Sequence, residues 1–157
     1  MEEIVKILIA DDNKAIVEFM QKYIAKDDRY KIVGICSDTE TEIKMIDELK
    51  PDVVITDIRK KNKWSGIDIV KKYIDNEYCP IFYIVSASVV HYLPEMRELK
   101  ISHYLTKPFE EEDFMRILGY AYSEIYPKEI VSTQKEIAET PSKIIEFFRA
   151  IKKRIGV

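Results

Sequence analysis

The chain has 157 residues and a net charge of −3, which suits one domain with something small attached and is too mild for a broad nucleic-acid or membrane-binding surface. Its four glycines, Gly34, Gly66, Gly119 and Gly156, cannot make a P-loop or a G-x-G-x-x-G turn, so the commonest nucleotide-binding loops are excluded. The two cysteines show neither metal-ligand spacing nor a disulfide framework, the start Met1-Glu2-Glu3 is acidic where a signal peptide would be basic, and no apolar run is long enough to span a bilayer. The expected setting is the reducing cytoplasm.

The first expected strand is Val5-Lys6-Ile7-Leu8-Ile9-Ala10, and it ends on Asp11-Asp12. A helix over 15–26 follows from the spacing of Ile16, Phe19, Met20, Tyr23 and Ile24, with Asn13 as its N-cap. Residues 30–37 read as a second strand and 39–49 as a second helix capped by Asp38. Val53-Val54-Ile55-Thr56-Asp57 is a short β-branched run that stops on a carboxylate, as expected of a strand buried on both faces. A third helix starts near Gly66 and runs to Ile74. Pro80 introduces the fourth strand, 81–86, ending on Ser86. Pro94 fits best at a first helical position, so a short helix is expected over 94–99, leaving 87–93 as an unusually apolar loop. Residues 103–106 make a short fifth strand, and a fifth helix runs from Glu110 to about Tyr126 with an acidic first turn.

Strand and helix alternate five times, which implies α/β architecture: a doubly wound parallel sheet with helices on both faces. The tail differs. Pro127 breaks the fifth helix, 128–139 is polar, and Thr140-Pro141-Ser142 is a good helix start. Ile144, Ile145, Phe147, Phe148, Ile151 and Ile155 then form an apolar stripe at helical spacing, with Arg149, Lys152, Lys153 and Arg154 interspersed. The expected division is 1–126 and, as linker plus amphipathic C-terminal helix, 127–157. A stripe this apolar needs a partner surface: it can fold back on residues 1–126 or pair with the same helix of a second copy of the chain, and pairing is the favoured expectation.

Asp11 and Asp12 follow the first strand, Asp57 the third, Ser86 the fourth and Lys107 the fifth. Strand ends of a parallel sheet point to one edge, and ligands bind there. Three carboxylates brought together repel one another and call for a counter-charge. Mg2+ accepts one or two carboxylates plus phosphate oxygens, and beside it a carboxylate can act as nucleophile toward a phosphoryl group. Lys107 is placed to neutralise phosphoryl oxygens and Ser86 to donate a hydrogen bond to one, which makes a phosphoryl-transfer site of positioning and charge.

From about Ile4 to Tyr126 the chain resembles the receiver domain of two-component response regulators. The resemblance rests on Ile7-Leu8-Ile9-Ala10-Asp11-Asp12, Asp57, Ser86-Ala87 and Tyr104-Leu105-Thr106-Lys107-Pro108-Phe109, in order and at the family's spacings. It implies a flavodoxin-like sheet of order 2-1-3-4-5. It implies Asp57 as phosphoacceptor for a sensor histidine kinase, with self-dephosphorylation but no separate substrate. Asp12 would bind Mg2+ directly, Asp11 mostly through water, and Asp57 and the backbone carbonyl of Arg59 would complete the protein ligands. Lys107-Pro108 would be cis, and Ser86 with Tyr104 would form the switch pair that passes the signal to a downstream partner.

Two departures stand out. Lys60-Lys61-Asn62-Lys63-Trp64-Ser65 is basic, aromatic and one residue longer than the family's loop; Lys100-Ile101 stands where the family prefers Gly-Ala. The alternative readings are a receiver that precedes a DNA-binding effector domain in a longer transcriptional regulator, and a Mg2+-dependent phosphatase with an aspartate nucleophile. The phosphatase is disfavoured by Arg59, which stands where such enzymes need a second carboxylate.

Overall fold

A computed structural model describes residues 3–58 and 65–127 of the chain. The chain divides into two units, Met1–Tyr126 and Pro127–Val157. The expected C-terminal helix, Arg59 and residues 60–64 lie outside the described residues.

Five strands make one parallel sheet: β1 (Val5–Ala10), β2 (Tyr30–Cys36), β3 (Val53–Thr56), β4 (Ile81–Ser86) and β5 (Tyr104–Thr106), in the order β2-β1-β3-β4-β5. The expected order is therefore the observed one. β1, β3 and β4 are central, and their register aligns Ala10 with Thr56 and Thr56 with Ile84, so β1 and β3 finish level and β4 runs two residues further, to Ser86. β5 is an edge strand that pairs with β4 alone among the strands.

Alternation along the strands divides the core into two layers. Ile7, Ile9, Ile55 and Val85 face α1 (Lys14–Ile24) and α5 (Glu111–Ile125), where Met20 and Phe114 are fully buried. Leu8, Val54 and Ile84 face α2 (Thr39–Leu49), α3 (Gly66–Tyr73) and α4 (Val89–Glu98), which contribute Ile46, Ile69 and Met96. Each such side chain stabilises the fold by roughly 1.5–3 kcal/mol when fully buried. Asn13 caps α1 by accepting from the amides of Ala15 and Ile16, and Asp38 caps α2 through the Thr41 amide.

The fourth helix differs from expectation. It runs from Val89 to Glu98 and contains Pro94, rather than starting there. Val89, Tyr92, Leu93 and Met96 fall at positions i, i+3, i+4 and i+7 and pack on the second layer, so the segment read as an apolar loop is the buried stripe of a helix. Pro94 costs the bond its missing N–H would make to the Val90 carbonyl, and packing on both sides of the proline outweighs that loss. α4 closes with the Ile101 amide on the Met96 carbonyl (2.8 Å) and the Lys100 amide on that of Arg97 (3.0 Å), a Schellman arrangement. Lys100 carries the left-handed backbone such a cap needs, at φ 55°, where a glycine would be unstrained.

The start and end of the sheet unit are tied together. Tyr126 Oη donates to the Ile4 carbonyl (3.3 Å), and Tyr122 Oη to Glu3 Oε2 (3.0 Å).

Candidate phosphoryl-transfer site

The C-terminal ends of β1, β3 and β4 deliver the polar residues to one edge. Asp11 and Asp57 follow their strands directly and are 4 % and 8 % exposed; Ser86, the last residue of β4, is 1 % exposed. Asp12 is half-buried beside them. One carboxylate oxygen from each of Asp11, Asp12 and Asp57 lies within 4.8 Å of the others. From β5, Lys107 reaches across the edge, its Nζ 2.5 Å from Asp11 Oδ2 and 2.7 Å from Asp57 Oδ2. The Lys107-Pro108 peptide is cis, as the resemblance implied.

Burial is the largest influence on the Asp11 carboxyl and raises its pKa; hydrogen bonds from Lys107 and the Asn13 amide pull the other way, and the charge of Asp57 adds to the rise. Burial also works against the Lys107 ammonium, but its hydrogen bonds to Asp11 and Asp57 outweigh it and raise the amine's pKa. Three carboxylates facing one ammonium leave two negative charges among these four groups when all are ionised. That surplus, presented by hard oxygen donors, fits a divalent cation such as Mg2+.

Ser86 Oγ accepts from the Ser88 amide at 3.3 Å, so its hydroxyl hydrogen points elsewhere. Tyr104 stands on edge strand β5 with 43 % of its surface exposed. The structure thus brings Asp11, Asp12, Asp57, Ser86 and Lys107 together and places Tyr104 at the start of β5, the edge strand that Lys107 follows. Arg59 lies outside the described residues.

Sequence reading missed the packing behind Asp57. Thr56 is wholly buried, and Gly66, the first residue of α3, sits against the backbone carbonyl of Asp57. The available signal was a glycine opening a helix, where nothing local asks for one.

A parallel sheet of order 2-1-3-4-5 with an acidic crevice at its switch point and a lysine from the last strand defines a class of phosphoryl-accepting signalling domains. The family described as "Response regulator receiver domain" matches residues 7–118, and the chain belongs to that family: it is a receiver domain of a two-component response regulator. Among solved structures, the response regulatory domain of mrkE from Klebsiella pneumoniae superposes with a TM-score of 0.72 at 20 % identity, covering 78 % of this chain and 99 % of that one. That likeness shows the fold. Transcriptional regulatory protein YdfI of Bacillus subtilis (strain 168) is 27 % identical over 116 residues, covering 74 % of this chain and 54 % of YdfI. Transcriptional regulatory protein PdtaR of Mycobacterium tuberculosis (strain ATCC 25618 / H37Rv) is 26 % identical over 152 residues, covering 97 % of this chain and 72 % of PdtaR. The chain thus spans about half the length of YdfI. Receiver domains are in general signalling switches rather than enzymes, and bind Mg2+ at such an acidic cluster. Among the described residues no helix is long and apolar enough to cross a membrane.

Proposed function

We propose that Asp57 is the phosphoacceptor of a phosphorylation-activated switch, taking its phosphoryl group from a sensor histidine kinase. The observation that carries this reading is one ammonium, Lys107, held by the carboxylates of two different strand ends, Asp11 and Asp57. An Asp57 oxygen attacks the phosphorus of the kinase's phosphohistidine. The P–N bond breaks as the P–O bond forms, and the imidazole leaves with the electron pair and takes up a proton from solvent. Lys107 neutralises the transferred oxygens, and Ser86 donates its hydroxyl hydrogen to one of them. Asp12, Asp57 and the Arg59 carbonyl would hold Mg2+, with Asp11 mostly through water; when bound, the ion neutralises charge between phosphoryl oxygens and carboxylates. Water later attacks the phosphorus and releases inorganic phosphate, so the chain promotes its own phosphorylation and dephosphorylation and acts on no separate substrate.

The signal leaves through Ser86 and Tyr104. As the hydroxyl moves toward the phosphoryl group, the exposed ring of Tyr104 turns inward behind it. The names of YdfI and PdtaR support an output in transcription, either through a downstream protein or through a DNA-binding effector domain of a longer chain. On this reading 1–126 is the receiver, and 127–157 is a linker with an amphipathic helix that pairs two copies into a homodimer in the cytoplasm.

Incubation with acetyl phosphate and Mg2+ adds one hydroxylamine-sensitive phosphoryl group, read by intact mass. Asp57→Asn and EDTA each abolish it; full labelling of Asp57→Asn removes the assignment. Mg2+ raises the melting temperature of the unmodified chain because it binds the folded state, and Asp12→Ala loses that response. Sedimentation of the full chain beside a version ending at Tyr126 tests the pairing, which fails if both run as monomers.

A further inference from the structure

We infer that Gly66 is a positioning residue for phosphoryl transfer: α3 starts directly against the backbone of Asp57, and only a residue without a side chain leaves Asp57 where the reaction needs it. The inference rests on the reading of Asp57 as phosphoacceptor.

A Cβ built at Gly66 would meet the Asp57 carbonyl oxygen well inside 3.0 Å, the Asp57 carbonyl carbon at 3.1 Å and Thr56 Oγ1 at 3.0 Å. Two of these three atoms are backbone, which cannot swing away as the end of a side chain can. Conformation does not call for the glycine. Gly66 begins a helix, and helices favour alanine over glycine. Close approach is the remaining reason.

α3 cannot retreat to make room. The Gly66 amide donates to the Ile58 carbonyl at 3.2 Å, tying the helix start to the residue after Asp57. Ser65 and Asp68 form a capping box: the Ser65 amide donates to Asp68 Oδ2 (2.8 Å) and the Asp68 amide to Ser65 Oγ (3.3 Å). Ile67 and Ile69 are wholly buried. On the other side, Asp57 continues a central strand, and its amide donates to the Ala10 carbonyl at 3.1 Å. The nucleophile is thus clamped between β1 and the start of α3. A methyl group at 66 pushes on Asp57 itself, and in-line attack is sensitive to displacements of that size.

The other glycines supply controls. A Cβ at Gly34 meets Leu8 Cδ1, Leu49 Cδ1 and Met45 Sδ at 2.9–3.1 Å, all ends of flexible side chains, and one at Gly119 meets nothing within 4 Å. Acetyl phosphate labelling with Mg2+ and melting temperature are measured on the full chain and on Gly66→Ala, Gly34→Ala and Gly119→Ala. Labelling of Gly66→Ala falls on the order of tenfold or more, while Gly34→Ala and Gly119→Ala label at the parent rate even where Gly34→Ala melts lower. A folded Gly66→Ala that labels at the parent rate overturns the inference, as does equal slowing in Gly34→Ala. If Gly66→Ala does not fold, Ser65→Ala decides: it loosens the start of α3 without adding volume, and slower labelling supports the clamp while unchanged labelling overturns it. An unmodified chain that takes no phosphoryl group removes the phosphoacceptor reading and this inference with it; failure at Gly66 alone leaves that reading standing.

Discussion

α3 and α4 each follow a central strand that ends on a site residue, Asp57 for β3 and Ser86 for β4, yet they are built to opposite specifications. α3 has a complete capping box and five buried residues among eight, and Tyr73 at its end donates to Asp47 of α2 at 2.8 Å. α4 has no side-chain bond from its cap residue Ser88, a proline within it, two buried residues among ten and a strained Lys100 beyond its end. Val90 in its first turn is 68 % exposed. A salt bridge from Lys71 to Glu95 (2.5 Å) joins the two at the surface, where such pairs contribute little. On the proposed function, the helix beside the phosphoacceptor Asp57 is the better capped and more deeply buried of the two, and the helix after Ser86 the less. A switch needs both: an attacking group that stays in register, and a neighbour that moves at low cost.

The largest test of this contrast is truncation in α3. Ile69→Ala, at a fully buried site, destabilises by about 2–5 kcal/mol, read from denaturant unfolding. An effect below that range would mean α3 is less tightly held than its burial implies.

Next in size is an alkaline loss of stability carried mainly by the α3 side. Burial, and for Tyr73 also its bond to Asp47, raises the phenols of Tyr73, Tyr78 and Tyr83 above their usual 10.0. The folded state therefore holds these protons more tightly than the unfolded chain. That stability is fully present below pH 10 and is lost as pH rises through the folded values. Melting temperature followed from pH 9 upward falls, and phenolate absorbance of these residues appears only with unfolding; a Tyr73→Phe, Tyr78→Phe double variant has a shallower fall.

The weak points of α4 give smaller changes of opposite sign. Lys100→Gly relieves a left-handed residue and stabilises by about 1 kcal/mol. Val90→Ala stays within about 0.5 kcal/mol of the parent, as exposed substitutions do. Amide exchange completes the comparison: amides in the first turn of α4 exchange faster than those of Ile69 and Val70.

β1, β3 and β4 were legible because a strand covered on both faces is apolar along most of its length, as are the runs that lead to Asp11, Asp57 and Ser86. The gathering of three carboxylates with Lys107 was legible from the same endings. The direct contacts of Lys107 with Asp11 and Asp57 were not, since a lysine's reach is set by the fold rather than by spacing. At α4 two local rules conflicted. Proline's preference for a helix start points to 94, the 89, 92, 93, 96 stripe points to an earlier start, and burial of Val89 and Met96 favours the stripe. The seat of Gly66 on Asp57 was invisible because residues 58–65 separate them, and only the docking of α3 on β3 brings them into contact.

The ties from Tyr126 to Ile4 and from Tyr122 to Glu3 have an architectural consequence. They close a ring of backbone: the sheet unit is threaded in and out through one gateway, beside the N-terminal end of β1 and away from the strand ends that carry Asp11 and Asp57. Such a unit is suited to circular permutation. A short connector could join the two positions while new ends were opened at a surface turn, and it can be spliced as a cassette into another chain with its acidic crevice left clear.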